Sequence, residues 1–248
     1  MKLTVLELVQ NILSALDSDE VNSITDTAEA RQVAQVVETA YHNIIARADL
    51  PEHYKIFSLD SSGDADLPVL MTRPSDVRRI EWIKYNTTED EDEPSFTYVT
   101  VLPTIQFVDS MHQMDTTADE TESLTYDSHT FYFRNDRGPS SCTILTDNTL
   151  VFDAYDSSLE STLQSSKTLC YGHVFPTFSL SNSFTPDLDE RQFPLLLNEA
   201  KALAFLELKQ IAHDQAVVES RRQWSSLQRT KDLTKPNYFD QLPNFSRR

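Results

Sequence analysis

Apolar residues recur at helical spacing near both ends of the chain and in strand-like clusters between them. Leu3, Leu6, Val9, Leu13 and Leu16 repeat every three or four residues, and Leu8 and Ile12 widen the stripe. That pattern predicts an amphipathic helix over 3–16. The polar run Asp17–Glu20 closes it. A second helix is expected to start near Asp26, with Asp26 as cap and Glu29 reaching back in a variant of the capping box. Val33, Val36, Val37, Ala40, Tyr41, Ile44 and Ile45 then hold one face until Pro51 stops the run.

From about 52 to 189 the periodicity changes. Tyr54–Leu59, Val77–Tyr85, Phe96–Val101, Thr130–Arg134, Thr149–Asp153 and Thr168–Tyr171 are rich in aromatic and β-branched residues. Polar clusters at 60–63, 89–93, 135–141 and 181–189 separate them, so short antiparallel strands are expected. Pro103 suits the first turn of a short helix running to about His112. Helical spacing returns at Pro194: Leu195–Leu197, Ala200, Leu203, Ala204 and Phe205 are apolar nearly all round, as in a helix buried on most sides. His213-Asp214 reads as a break, with Asp214 capping a further amphipathic helix. Pro236 and Pro243 mark an extended arm.

The expected fold class is α+β, with N- and C-terminal helices packed as a helical body around an inserted antiparallel β-rich region. The body takes 1–50 and 190–231, the insertion 51–189, and the arm 232–248.

Composition narrows the chemistry. The chain has 248 residues and 3 glycines, Gly63, Gly138 and Gly172, none near another. Phosphate-cradling loops need clustered glycine, so Walker and Rossmann chemistry is not expected. Cys142 and Cys170 stand far apart with no C-x-x-C, which fits a reducing compartment better than a disulfide framework or a zinc site. Glu7, Gln10 and Asn11 interrupt any apolar signal region, and no run approaches the roughly 20 apolar residues of a membrane span.

The formal charge is −18, which repels nucleic acid and anionic membranes overall. It is unevenly spread. From Ser220 on, Arg221, Arg222, Arg229, Lys231, Lys235, Arg247 and Arg248 face only Asp232 and Asp240. The remaining body holds 14 basic and 37 acidic residues. Such a basic end is either an ordinary solvated terminus or a tail that docks on an acidic partner.

Catalytic patterns are sparse. His42, His53, His112, His129, His173 and His213 form no H-E-x-x-H or other metal spacing. Asp127 and His129 would share a face if both lay on a strand. No G-x-S-x-G elbow exposes a serine, and Glu89–Glu93 lacks the ligand spacing and glycine of a calcium loop. Asn86 and Asn244 open glycosylation triplets, read as chance matches. No cofactor, metal or catalytic residue is expected. Arg221, Arg222, Trp224, Arg229 and Lys231 come nearest to a nucleic-acid footprint, but a basic helix facing an acidic neighbour suits the charge balance better.

Three stretches carry a resemblance. They are Asn135–Pro139 with Leu150–Asp156 and Ser161–Lys167, then Phe193–Lys201 continuing through Glu207–Gln210, and the Tyr41–Arg47 heptapeptide within the opening helix pair. Together they resemble the head–tail adaptor, or tail tubular, proteins of short-tailed bacteriophages. The resemblance implies a structural virion protein of the neck, assembled in the host cytoplasm, and not an enzyme. It implies a homo-oligomeric, dodecameric ring that binds the portal protein on one face and the tail nozzle or another tail protein on the other. Double-stranded DNA would pass through without specific binding, and no membrane is involved. On this reading the portal-contacting arm is Arg221, Arg222, Trp224, Arg229, Lys231, Lys235, Phe239, Phe245, Arg247 and Arg248. A second reading is a receptor-binding or glycan-degrading tail protein, since strands bearing paired acids can support glycoside chemistry.

Overall fold

The computed structural model describes residues 2–88, 94–146 and 148–234. The acidic run Glu89–Glu93 and the arm from Lys235 to Arg248, with Phe239 and Phe245, lie outside the described residues. In chain order the elements are α1 (Val5–Ala15), α2 (Ala28–Arg47), β1 (Tyr54–Phe57), β2 (Asp60–Ser61), β3 (Leu70–Thr72), β4 (Val77–Asn86), β5 (Phe96–Val101), α3 (Thr104–His112), β6 (Thr121–Tyr126), β7 (His129–Arg134), β8 (Ser141–Ile144), β9 (Thr149–Phe152), β10 (Thr168–Val174), α4 (Phe193–Ala204) and α5 (Asp214–Thr234). Helices and strands both contribute substantially, so the class is α+β. The chain divides into two units, one of residues 1–52 and 176–248, the other of residues 53–175.

The first unit is helical. Thr4 caps α1: the Glu7 N–H donates to its hydroxyl, and the Thr4 N–H donates back to the Glu7 carboxylate at 2.7 Å. The capping box is therefore on the first helix, where T-x-x-E precedes the apolar run. α1 buries Val5, Leu8, Val9, Ile12 and Leu13, and Asp17 ends it in a left-handed conformation, φ 58°. α2 starts one residue later than its sequence suggested. Thr27, in extended geometry, accepts the Ala30 N–H, whereas Asp26 accepts the N–H groups of Asn22 and Ser23 in the preceding turn. Glu29 accepts the Ser18 hydroxyl instead of closing a box.

α4 packs against α1, α2 and α5. It buries Phe193, Leu195, Leu196, Ala200 and Ala204, while Leu197 and Leu203 are only half-buried. After α4 the backbone widens into a π-helix, Phe205–Lys209, and turns at Gln210, φ 55°. His213, not Asp214, caps α5, since its Nδ1 accepts the Ala216 N–H at 3.0 Å. Segment 176–192 belongs to this helical unit although it contains no helix. Phe178 packs on Tyr41 and Phe184, and the Val5 N–H donates to the Phe184 carbonyl at 2.8 Å. Ring packing and a backbone bond draw the unit boundary to 175/176, not 189/190.

The second unit is built on an eight-stranded sheet, order β1-β10-β4-β5-β8-β9-β3-β2. One neighbour pair, β5 with β8, is parallel, so the sheet is mixed where an antiparallel one was expected. The cause is local: α3 and the hairpin β6–β7 intervene between these strands and return the chain in the same direction. α3 begins at Thr104, just past Pro103, which precedes the first turn instead of occupying it. One face of the sheet carries Ile83, Tyr85, Val99, Cys142, Leu150 and Cys170 into the core. Phe107 and Met111 of α3, with Leu124, Phe131 and Phe133 of the hairpin, cover it. The chain enters on β1 and leaves on β10, and these two strands pair, with Tyr54 opposite His173.

Asp127 and Ser128 form the two-residue turn between β6 and β7, both with positive φ. Asp127 is thus on a turn, and His129 opens the following strand. The expected shared strand face does not exist.

Candidate functional site

α5 carries the basic residues singled out from sequence that fall within the described part. Arg221 and Arg222 are exposed, and Arg222 pairs with Glu219 one turn back at 2.7 Å. Trp224 is turned inward. Its Nε1–H donates to Glu199 of α4 at 2.8 Å, and the Arg47 guanidinium of α2 lies 5.8 Å from its ring. Asn198 and Gln223 add a second α4–α5 bond. Trp224 therefore ties α5 to the helical unit, while Arg221 and Arg222 remain on the surface. The Arg229 and Lys231 side chains, like Lys235, Arg247 and Arg248, lie outside the described residues.

A cavity of about 250 Å³ is lined by residues of α4 and α5, of the segment after α2 and of the segment before α4, among them Asp49, Glu52, Asp189 and Arg191. Gln192 Nε2 donates to Glu52 at 3.3 Å. The volume is below the range of roughly 300–1,000 Å³ typical of small-molecule sites.

The β unit buries several reactive group types. Cys142 and Cys170 are free and buried. Desolvation pushes the Cys170 thiol up to about 12 and raises Cys142 further, the latter aided by the Asp153 charge. Thiol nucleophiles act as thiolates, so both are inert at neutral pH. The Tyr85 hydroxyl donates to Glu160 at 2.6 Å and accepts the Gln164 N–H, while Lys167 meets the other Glu160 oxygen at 3.2 Å. Burial, then the Glu160 bond, raises the Tyr85 phenol. Asp153 accepts the N–H groups of Ser140 and Ser141 and the Ser140 hydroxyl. These networks pin loops to the sheet. Among the described residues no three His, Cys, Asp or Glu side chains gather as a metal set, and no helix is long and apolar enough to cross a membrane.

The most developed surface was not singled out from sequence. On the face of the sheet opposite the core, Tyr54, Tyr171, Trp82 and Tyr98 run across β1, β10, β4 and β5. Successive ring centroids are 5.8, 5.7 and 6.5 Å apart, with Trp82 stacked on Tyr171 at 18°. The Lys84 ammonium lies 4.4 Å from the Tyr98 ring centre and 5.5 Å from Trp82. Arg79 donates to the Tyr54 hydroxyl and pairs with Glu81. Ile56 and Tyr98 remain 63% and 66% exposed. The alternation Trp82-x-Lys84 against Ile83-x-Tyr85 was present in sequence, but it shows only that both faces carry apolar groups, and register is needed to align the rings.

No family model matches the chain, and no curated protein matches it.

Proposed function

We propose that the chain is a structural ring subunit of a short-tailed phage neck, an adaptor that joins the head portal to the tail and lines the DNA conduit. The observation that carries the reading is the resemblance to head–tail adaptors of Asn135–Pro139 with Leu150–Asp156 and Ser161–Lys167, of Phe193–Lys201 with Glu207–Gln210, and of Tyr41–Arg47 in the opening helix pair. Two features of the molecule support it. The helices α1 and α2 from one side of the chain and α4 and α5 from the other share one unit, from which residues 53–175 are a continuous excursion. Basic α5 stands at the far end of an otherwise acidic chain, with Arg221 and Arg222 exposed. The basic arm docks on an acidic portal surface, giving up chain entropy for contacts. An acidic bore repels DNA and lets it slide, where a phosphate-neutralising lining would hold it.

Electron microscopy of the full chain, alone and mixed with a portal ring, tests this reading. Density for a ring of copies on one portal face is expected, and a chain that leaves the portal undecorated overturns it. Deleting 232–248 is expected to abolish portal binding; undiminished binding removes the arm from the proposal.

A further inference from the structure

We propose that the aromatic sheet face around Lys84 is the docking site for a second copy of this chain, which presents its acidic segment 115–122 to it. Exposed apolar area of this kind marks contact surfaces, and aromatic residues are enriched at their centres. The rings are already packed among themselves and on the ammonium: Trp82 lies against Tyr171, and Lys84 lies over Tyr98 and Trp82. What remains for a partner is the exposed part of Tyr98, Ile56 and a cation beside them, a mixed apolar and charged surface of the kind that protein contacts cover.

Charge selects the protein. The chain carries −18 overall. On this face Arg79 is balanced by Glu81, and Lys84 adds a positive charge at the centre. Residues 115–122 hold Asp115, Asp119, Glu120 and Glu122 and no basic residue, and all four acids are exposed. Asp115 is fixed by accepting the Thr117 N–H and hydroxyl, and Glu122 accepts from Asn135. The segment joins α3 to β6, which cover the core face of the sheet. Donor and acceptor surfaces are thus on opposite sides of the β unit. Different surfaces meeting between successive copies make a heterologous contact, which closes into a ring when the rotation permits. The docking rests on the ring-subunit reading for that closure.

The test is sedimentation velocity of the full chain at rising concentration in low salt, with circular dichroism to follow the fold. Wild type is expected to self-associate reversibly. Lys84→Glu, Tyr98→Ser and the pair Asp119→Lys with Glu120→Lys are each expected to weaken association by about tenfold or more. Combining Lys84→Glu with the two acid reversals is expected to regain most of the loss. A wild-type chain that stays monomeric at its highest soluble concentration overturns the proposal. So does unchanged association in folded Lys84→Glu and Tyr98→Ser, or a charge swap that regains nothing, which would point to a different acidic partner. If Lys84→Glu fails to fold, Lys84→Gln and Tyr98→Ser decide. Portal binding is scored separately. Portal binding without association through this face removes the docking alone; association without portal binding removes the adaptor reading alone.

Discussion

Cys142 and Cys170 face each other's strands' shared core, and burial makes their thiolates expensive to form. A thiol whose folded value is raised stabilises the fold below its unfolded value and loses that contribution as pH climbs toward the folded one. The chain is therefore expected to lose stability from about pH 9 upward, as Cys142 and Cys170 and then Tyr85 and Tyr41 ionise more readily in the unfolded chain. Urea midpoints measured from pH 7 to 11 check this, and a flat profile contradicts it. The same burial should leave both thiols unreactive toward alkylating reagent at pH 8 until urea unfolds the β unit. Gly172 makes a second residue-scale case. It sits at a register shift in β10, and an added Cβ would run into the Arg79 carbonyl. Gly172→Ala is expected to destabilise by about 2–3 kcal/mol, read from the urea midpoint. Nothing local in Tyr171-Gly172-His173 announces this, because the constraint is a backbone 93 positions away in sequence order at Arg79.

Elements with strong periodicity were legible. The predicted helices over 3–16 and from near Asp26, and the strand over Phe96–Val101, coincide closely with α1, α2 and β5. Caps were less so: Thr27 displaced Asp26, and His213 displaced Asp214, because the choice between adjacent capping groups turns on backbone geometry. Strands β3, β6 and β8 escaped because they are short or polar on one side, and pairing with neighbours defines them. Two predictions belong here. Thr4→Ala removes the side-chain half of the α1 capping box, the hydroxyl that accepts the Glu7 N–H, and should cost about 1 kcal/mol in thermal or urea unfolding. Replacing Asp127-Ser128 with Asn-Gly gives residues suited to positive φ in a two-residue hairpin loop, and should stabilise by about 0.5–1 kcal/mol. A destabilised variant would show that the turn is held by contacts of those two side chains.

For the whole molecule, composition and pattern indicated helical flanks and a strand-rich middle, and the class is α+β. The candidate site was less visible. The basic residues of α5 could be named from charge alone, but that Trp224 faces Glu199 and Arg47 depends on helix packing. The aromatic row across four strands depends on register, which no single strand encodes. The β unit has its own core, and β1 pairs with β10. Residues 53–175 produced alone are therefore expected to fold, with near-UV circular dichroism showing ordered aromatics; a featureless spectrum would contradict an independent core.

The pairing of β1 with β10 also sets how the β unit meets force. Its chain ends emerge side by side at the Tyr54–His173 rung. A pull that draws residues 53 and 175 apart loads the antiparallel ladder one rung at a time, from that rung toward Phe57 and Cys170, and never all rungs together. Tension on the chain would peel β1 from the sheet edge first and leave β10 held by β4. The unit thus carries a mechanical fuse at its own threshold, weak toward peeling and backed by the seven-residue ladder behind it.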